Sequence, residues 1–208
     1  MSLTDSPSCD LVFYTNPQSR GQIVRWMLEE VATPYRQVLL GYGDTMKSAD
    51  YLAINPMGKV PAITHRGNVV TECAAICAYL ADVFPAAGLA PANNDRAAYY
   101  RWLFFAAGPL ESAVIDRALN VSIPAERERM VGYGNFERTV DVLASAVDTD
   151  EYIAGKQFSA ADVYVGSHVI WGMQFGSLPR RAEFEAYAAR LVERPAYLKA
   201  KAIDEQTG

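Results

Sequence analysis

The chain has 208 residues and a net charge of −5; half of its residues are hydrophobic and 21% are charged, as expected for a globular protein with a core. An acidic chain without a basic stripe argues against nucleic-acid binding. The most apolar stretch, residues 69–92, is interrupted by Glu72, Asp82 and two prolines, so it predicts no membrane span.

Localisation follows from two further features. The amino terminus, "MSLTDSPSCD", is polar and acidic, which is not typical of a signal peptide. The three cysteines, Cys9, Cys73 and Cys77, do not have the spacing of a disulfide framework, and this favours a reducing compartment. We therefore expect a cytoplasmic protein.

The first 84 residues alternate between strand and helix patterns. Strands are predicted at residues 11–14, 35–40, 59–64 and 69–71. Between the first two strands, a helix begins near Ser19 and carries Ile23, Met27 and Val31 on one face. A weaker helix is predicted over 47–54, and a last helix has Cys73, Cys77, Leu80 and Phe84 on one face. We interpret Cys77 as a small buried hydrophobe. The pattern predicts an α/β domain over residues 1–84.

The remaining chain has helical periodicity only. Residues 85–93, rich in Pro, Ala and Gly, predict a linker, and residues 94–208 predict an all-helical domain. Apolar residues at helical spacing are Tyr99, Trp102, Leu103 and Ala106, then Tyr133, Phe136, Val140, Leu143 and Val147. Pro109 predicts a kink. Ser159 and Asp162 form a capping-box pattern, so a helix is expected to begin near residue 160.

Three local motifs stand out in the first half. "YTNPQSRGQ" (residues 14–22) ends a strand in a polar turn and begins a helix, and such a helix start can bind an anion. "MGKVPAI" (57–63) places Pro61, which has no N–H, inside an apolar strand. "TECAAICAYL" (71–80) begins a helix with Glu72 at its first turn.

Together these motifs resemble the glutathione transferase family, and the likeness extends over nearly the whole chain. The resemblance implies a thioredoxin-like amino-terminal domain followed by an all-α domain, glutathione as the co-substrate, and a cis bond at Pro61. It also implies that glutathione pairs with the backbone of Val60 like an added strand. Non-catalytic relatives share the motifs, so a transferase-like interaction module stays as the alternative to an enzyme.

The resemblance assigns further groups to glutathione. Glu72 would bind the γ-glutamyl ammonium group, and the backbone N–H of Cys73 the γ-glutamyl carboxylate. Many relatives have Ser where this chain has Cys73, but the backbone contact survives that change. Lys59 would face the glycyl carboxylate, or it is an ordinary surface lysine. Arg20 would add positive charge beside the thiol.

The implied reaction is attack of the glutathione thiolate on a small, apolar electrophile, as in detoxification. Ser19 is the first choice for the group that stabilises the thiolate, with Asn16 and Tyr14 as alternatives, because family classes place this residue at different points of the loop.

The second substrate is expected in an apolar cleft between the domains. Candidates to line this cleft are Tyr14, Phe105, Glu111, Tyr164 and Trp171. His65 and His168 cannot form a metal site by themselves, so no metal is predicted. The resemblance implies a homodimer; nucleic acid and membrane are not expected as partners.

Overall fold

The computed structural model describes residues 10–207; Cys9 and the amino-terminal segment interpreted above lie outside them. Four strands form one mixed sheet: β1 (Leu11–Thr15), β2 (Arg36–Leu39), β3 (Ala62–His65) and β4 (Asn68–Thr71). The spatial order is β2-β1-β3-β4. Strand β2 is parallel to β1, and β3 is antiparallel to both β1 and β4.

Two long helices cover one face of the sheet. They are α1 (Gly21–Val31) and α3 (Cys73–Val83), and they share a hydrophobic cluster with Phe13 and Ile63 of the sheet. Because side chains alternate along a strand, the neighbouring Tyr14 and Ala62 belong to a second cluster on the opposite face.

The opposite face is covered by shorter elements than predicted. In place of one helix over 47–54, the chain forms a 3₁₀ turn (Thr45–Lys47) and a one-turn helix, α2 (Ala49–Leu52). Ser48 separates the two because its backbone is extended and its hydroxyl accepts a hydrogen bond from the Tyr51 N–H.

The second half of the described chain is helical. Its helices are α4 (Ala97–Phe105), α5 (Glu111–Ala118), α6 (Phe136–Val147), α7 (Ala160–Phe175), α8 (Ala182–Val192) and α9 (Pro195–Thr207). Tyr133, predicted within a helix, precedes α6, which begins after the cap Asn135. The capping box at Ser159 and Asp162 is present, and α7 begins at Ala160 as predicted.

Pro109 has the structural effect that its missing N–H predicts. Residues Ala106–Leu110 form a π-helical segment with Pro109 inside it, and this segment joins α4 to α5. Such π-segments are rare and occur frequently at functional sites. Glu111, the first residue of α5, follows it directly.

The two halves share one continuous core. The main cluster joins α1 and α3 to residues of the helical half, among them Trp102, Leu143 and Tyr164. Within residues 10–207, no helix is both long and apolar enough to cross a bilayer.

Candidate active site

The three sequence motifs meet at one end of the sheet. Because β3 runs antiparallel to β1, its first residue, Ala62, pairs with Tyr14 near the end of β1. Val60 and Pro61 therefore lie beside the turn that leads to α1. The start of α3 reaches the same place, where the Cys73 thiol donates to the Arg20 carbonyl oxygen at 3.5 Å.

Ser19 lies in the turn just before α1. Its hydroxyl donates to the Asn16 carbonyl oxygen at 2.6 Å and accepts a hydrogen bond from the Gly21 N–H at 2.9 Å. Gly21 allows this arrangement, because a Cβ there would lie 2.0 Å from Thr15 Oγ1 and 3.0 Å from Ser19 Oγ. The turn thus packs α1 closely against the end of β1.

The alternative donors are held by other contacts. The Asn16 side chain donates to the Leu40 carbonyl at 2.9 Å and accepts from the Gln18 N–H at 2.9 Å. Tyr14 packs against Tyr51, with ring centroids 5.6 Å apart, on the sheet face opposite α1 and α3. Ser19 needs only a rotation of its hydroxyl to donate elsewhere.

The segment before β3 is anchored through Lys59. Its carbonyl oxygen accepts hydrogen bonds from the Tyr51 hydroxyl at 2.6 Å and the Asn55 side chain at 2.8 Å. The Val60–Pro61 peptide bond is cis, the isomer that the resemblance implied. Among residues 10–207, the backbone N–H and C=O of Val60 have no hydrogen-bond partner. The Lys59 side chain is exposed.

Glu72 has an unusual backbone conformation for a residue with a side chain. It is the N-cap of α3, with φ 64° and ψ 118°, outside the usual regions for non-glycine residues. The side chain is exposed, and its carboxylate has no hydrogen-bond or ion-pair partner in the described chain. Strained residues of this kind concentrate at ligand sites.

The Cys73 thiol is buried in an environment that disfavours the thiolate. Burial raises its pKa to about 12, so the sulfur stays protonated at neutral pH. Cys77 is fully buried in the main cluster, in agreement with its interpretation as a small hydrophobe. The Cys73 side chain therefore joins α3 to the turn before α1.

Arg20 connects the α/β half to the helical half. Its Nη2 lies 2.6 Å from Glu111 Oε1. Glu111 is therefore a partner of Arg20, held there by the start of α5. Nearby, burial and then the charge of Arg20 lower the pKa of His168 to about 4.

A cleft of about 760 Å³ opens beside this turn. Three elements provide most of its lining: the turn before α1, the carboxyl-terminal half of α7, and α9. Its lining includes Ser19, Arg20, Tyr42, Trp171, Phe175, Tyr197, Lys201, Asp204 and Glu205. Its walls thus combine aromatic rings with charged side chains.

The five residues predicted for the second-substrate pocket lie in different surroundings. Trp171 lines the cleft, and Tyr14 lies across the sheet. Phe105 packs against Trp102 with ring centroids 5.4 Å apart. Glu111 pairs with Arg20, and Tyr164 is 5% exposed and lies edge-on to the His168 ring.

Sequence reasoning missed most of the cleft. Phe175 is 74% exposed at the end of α7, and the periodicity of α7 does not set it apart from core aromatics. Tyr42 and the residues of α9 enter through tertiary packing alone. For these residues the sequence carries no local sign of a binding role.

Comparison with known proteins identifies the family. Residues 19–83 match the glutathione S-transferase, N-terminal domain family. Glutathione S-transferase GstA of Escherichia coli O157:H7 is 31% identical over 150 residues, which cover 70% of this chain and 74% of that protein. The chain therefore belongs to the glutathione S-transferase family, which confirms the predicted family and enzyme class.

Solved structures confirm the fold class. A sphingomonad glutathione S-transferase complexed with glutathione is 27% identical, with a TM-score of 0.75, and the match covers 93% of this chain and 98% of that one. A glutathione transferase homolog from Sulfitobacter with bound glutathione is 25% identical, with a TM-score of 0.74, over 93% and 97%. Within residues 10–207, no group of three or more His, Cys, Asp and Glu side chains could hold a metal ion.

Proposed function

We propose that this protein binds glutathione where its three motifs meet and directs the thiolate at a small, largely apolar electrophile in the adjoining cleft. One observation carries the proposal: the turn before α1, the Val60 backbone and the start of α3 lie together at one end of the sheet. Each presents a group suited to part of the tripeptide. The glutathione bound in the Sulfitobacter and sphingomonad structures supports this co-substrate.

The binding groups divide the charges of glutathione. The Val60 N–H and C=O pair with the peptide backbone as a strand edge does. Glu72 takes the γ-glutamyl ammonium group, and the Cys73 N–H at the start of α3 takes the carboxylate, favoured by the helix dipole. Lys59 faces the glycyl carboxylate. Arg20 contributes positive charge while its guanidinium stays on Glu111.

Ser19 is our proposed thiol-activating residue. A free thiol has a pKa near 8.5, so about a few per cent is ionised at neutral pH. Lowering that pKa by about two units stabilises the thiolate by roughly 2.7 kcal/mol. A rotation of the Ser19 hydroxyl away from the Asn16 carbonyl supplies one donor to the sulfur, and the start of α1 adds its dipole.

Two variants separate the candidate donors. We expect Ser19→Ala to retain glutathione, to raise the apparent pKa of the bound thiol, and to lower kcat/KM by about ten- to a hundred-fold, with each tenfold equal to about 1.4 kcal/mol. The measurements are retention on immobilised glutathione and the pH–rate profile with an activated aromatic halide. Asn16→Ala is the matched control. A wild-type profile for Ser19→Ala and a shifted one for Asn16→Ala would transfer the role to Asn16.

We also propose a homodimer. Two exposed apolar surfaces suit the pairing of one chain's α/β half with the other's helical half. On α4, Tyr100 and Phe104 are 40% and 71% exposed; near the sheet edge, Met57 and Val69 are 66% and 48% exposed. Isolated exposed apolar residues are common, but contiguous ones mark interfaces, and the Tyr100 and Phe104 rings lie 6.5 Å apart.

Sedimentation tests the dimer. Phe104→Ser should shift the protein toward monomer at micromolar concentration. Leu119→Ser, which alters a side chain of similar exposure (69%) on α5's carboxyl end, should not. A monomeric wild-type protein would contradict the dimer.

The remaining expectations stay predictions. They are a cytoplasmic location, a role in detoxification, and domains at residues 1–84 and 94–208 joined by 85–93. The boundaries are supported by the last residue of α3, Val83, and the first of α4, Ala97.

A further inference from the structure

A buried ion pair joins the first helix to the last. Arg25 of α1 is 1% exposed and Asp204 of α9 is 6% exposed, and Arg25 Nε lies 3.1 Å from Asp204 Oδ1. Asp204 also lines the cleft, whereas Arg25 is not among the lining residues. We infer that Arg25 and Asp204 are positioning residues that set the α9 wall of the cleft, and through it the fit of the electrophile. This inference rests on the proposed function.

The pair belongs to a network that begins and ends on α9. Arg25 Nη1 donates to the Tyr35 hydroxyl at 2.9 Å, and that hydroxyl donates to Glu29 Oε1 at 2.7 Å. Lys199 Nζ lies 2.6 Å from Glu29 Oε2. The Arg25 guanidinium also lies 5.1 Å from the centre of the Phe13 ring. One buried cation thus connects α9, α1, the loop after α1 and β1.

The position of α9 matters because the helix runs beside α1 to the candidate active site. Just before the start of α9, Arg194 forms two hydrogen bonds to Glu30 at the end of α1, at 2.6 and 2.7 Å. At the other end of α9, Thr207 lines a small surface hollow with Asn16 and Gln18. The end of α9 therefore lies beside the turn that carries Ser19.

The energetics favour a positioning role for Arg25. Removing one partner of a buried ion pair leaves the other charge without compensation. Asp204 then gains by moving toward water, and its helix carries the cleft residues Tyr197, Lys201 and Glu205. A change at Arg25, outside the cleft, should therefore alter binding inside it.

Two ligands distinguish the cleft from the glutathione subsite. S-hexylglutathione extends an alkyl chain from the glutathione sulfur, so it reports on both, whereas glutathione reports on its own subsite. We expect Arg25→Met to weaken S-hexylglutathione binding about five- to ten-fold and glutathione binding less than two-fold. Arg25→Lys, which keeps the cation, should recover most of the loss. Titration calorimetry well below the unfolding midpoint of each variant measures both affinities.

Lys199→Met is the matched control. It removes a cation from the exposed end of the same network, and Lys199 (side chain 68% exposed) does not line the cleft; both affinities should stay near wild type. If Arg25→Met does not fold, Asp204→Asn is measured in its place, with the same expected split between the ligands.

The outcomes are distinct. If Arg25→Met lost equal affinity for both ligands, the pair would have a role in stability alone, and the inference would be overturned. A loss of affinity in Lys199→Met as large as that in Arg25→Met would overturn it too. A wild-type protein that binds neither ligand would overturn the proposed function, and the inference with it. A wild-type protein that binds both ligands, with Arg25→Met unchanged, would overturn the inference alone.

Discussion

The candidate active site of the α/β half and the interior of the helical half treat their polar groups in opposite ways. On the α/β side, the Glu72 carboxylate and the Val60 backbone have no hydrogen-bond partner within residues 10–207. On the helical side, Asp162 and Asp204 are buried and hydrogen bonded. Unpartnered exposed groups are free to meet a ligand, whereas buried partnered groups hold the protein together. Substitutions on the two sides should therefore affect different measurements.

The largest effect is expected at Asp162, which is fully buried. Its two oxygens accept four hydrogen bonds, from the N–H of Ile153, the N–H and hydroxyl of Ser159, and the Tyr187 hydroxyl, all at 2.8–2.9 Å. Asp162→Asn keeps the size but turns one acceptor into a donor. We expect the free energy of unfolding to fall by about 3 kcal/mol, since each unsatisfied buried group costs about 1–3 kcal/mol.

Asp141→Asn provides the control for this prediction. Asp141 pairs with Arg181 at the surface, with 65% of its side chain exposed, and exposed pairs contribute about 0–1 kcal/mol. Urea unfolding of both variants gives the comparison. Similar losses at the two positions would show that the Asp162 hydrogen bonds carry little of the stability.

His168 differs from Asp162 and Asp204, because one of its ring nitrogens lacks a hydrogen-bond partner among residues 10–207. We therefore expect the free energy of unfolding to depend on pH. The His168 Nε2 is buried without a hydrogen-bond partner in the described chain, and burial lowers its pKa to about 4. The folded pKa lies below the ordinary value of about 6.5. The stability from neutral His168 is therefore complete above pH 6.5 and is lost as pH falls toward 4, by roughly 3 kcal/mol in total.

The two histidines of the chain make this measurable. Urea unfolding between pH 4 and 8 should show a smaller acid-side loss in His168→Leu than in the wild type. Histidine proton resonances, assigned with His65→Gln, give the pKa directly. A His168 pKa near 6.5 in the folded protein would contradict the prediction.

The candidate site residues on the α/β side come from local features of the sequence, whereas most of the cleft residues on the helical side do not. Ser19, Val60 and Glu72 are recognisable because turns, a strand proline and a helix start are local features of the chain. The capping box at Asp162 is local too, and it was predicted correctly. A helix over 47–54 was not, because Ser48 competes with the helix through its own side chain.

The cleft was poorly predicted because tertiary packing creates it. Arg25 is an example, because helical periodicity in α1 places the apolar residues but gives no reason to bury a cation among them. Its partner Asp204 lies 179 residues further along the chain. Trp171, one of the predicted pocket residues, lines the cleft, while Phe105 and Tyr164 have the same aromatic pattern and pack in or against the core.

Glu72 gives the sharpest test of the comparison, because one substitution should raise the stability of the fold and weaken glutathione binding. Its φ of 64° suits glycine, and a non-glycine residue in such a region costs about 1–3 kcal/mol. Glycine also loses more chain entropy on folding, by roughly 0.5–1 kcal/mol. We therefore expect Glu72→Gly to raise the free energy of unfolding by about 0.5–1 kcal/mol. Glutathione binding should weaken by about 1.5–3 kcal/mol, the range for a hydrogen bond to a charged group.

Glu72→Ala separates the two contributions. It removes the carboxylate but keeps a Cβ at the positive φ, so binding should weaken as in Glu72→Gly while stability stays within about 0.5 kcal/mol of wild type. Calorimetric titration gives the glutathione affinity of each variant, and urea unfolding gives its free energy of unfolding. Unchanged glutathione affinity in both would mean that Glu72 does not bind the ammonium group. Lower stability in Glu72→Gly than in Glu72→Ala would mean that the entropy cost of glycine exceeds the strain at this φ, and the expected opposite signs would not be observed.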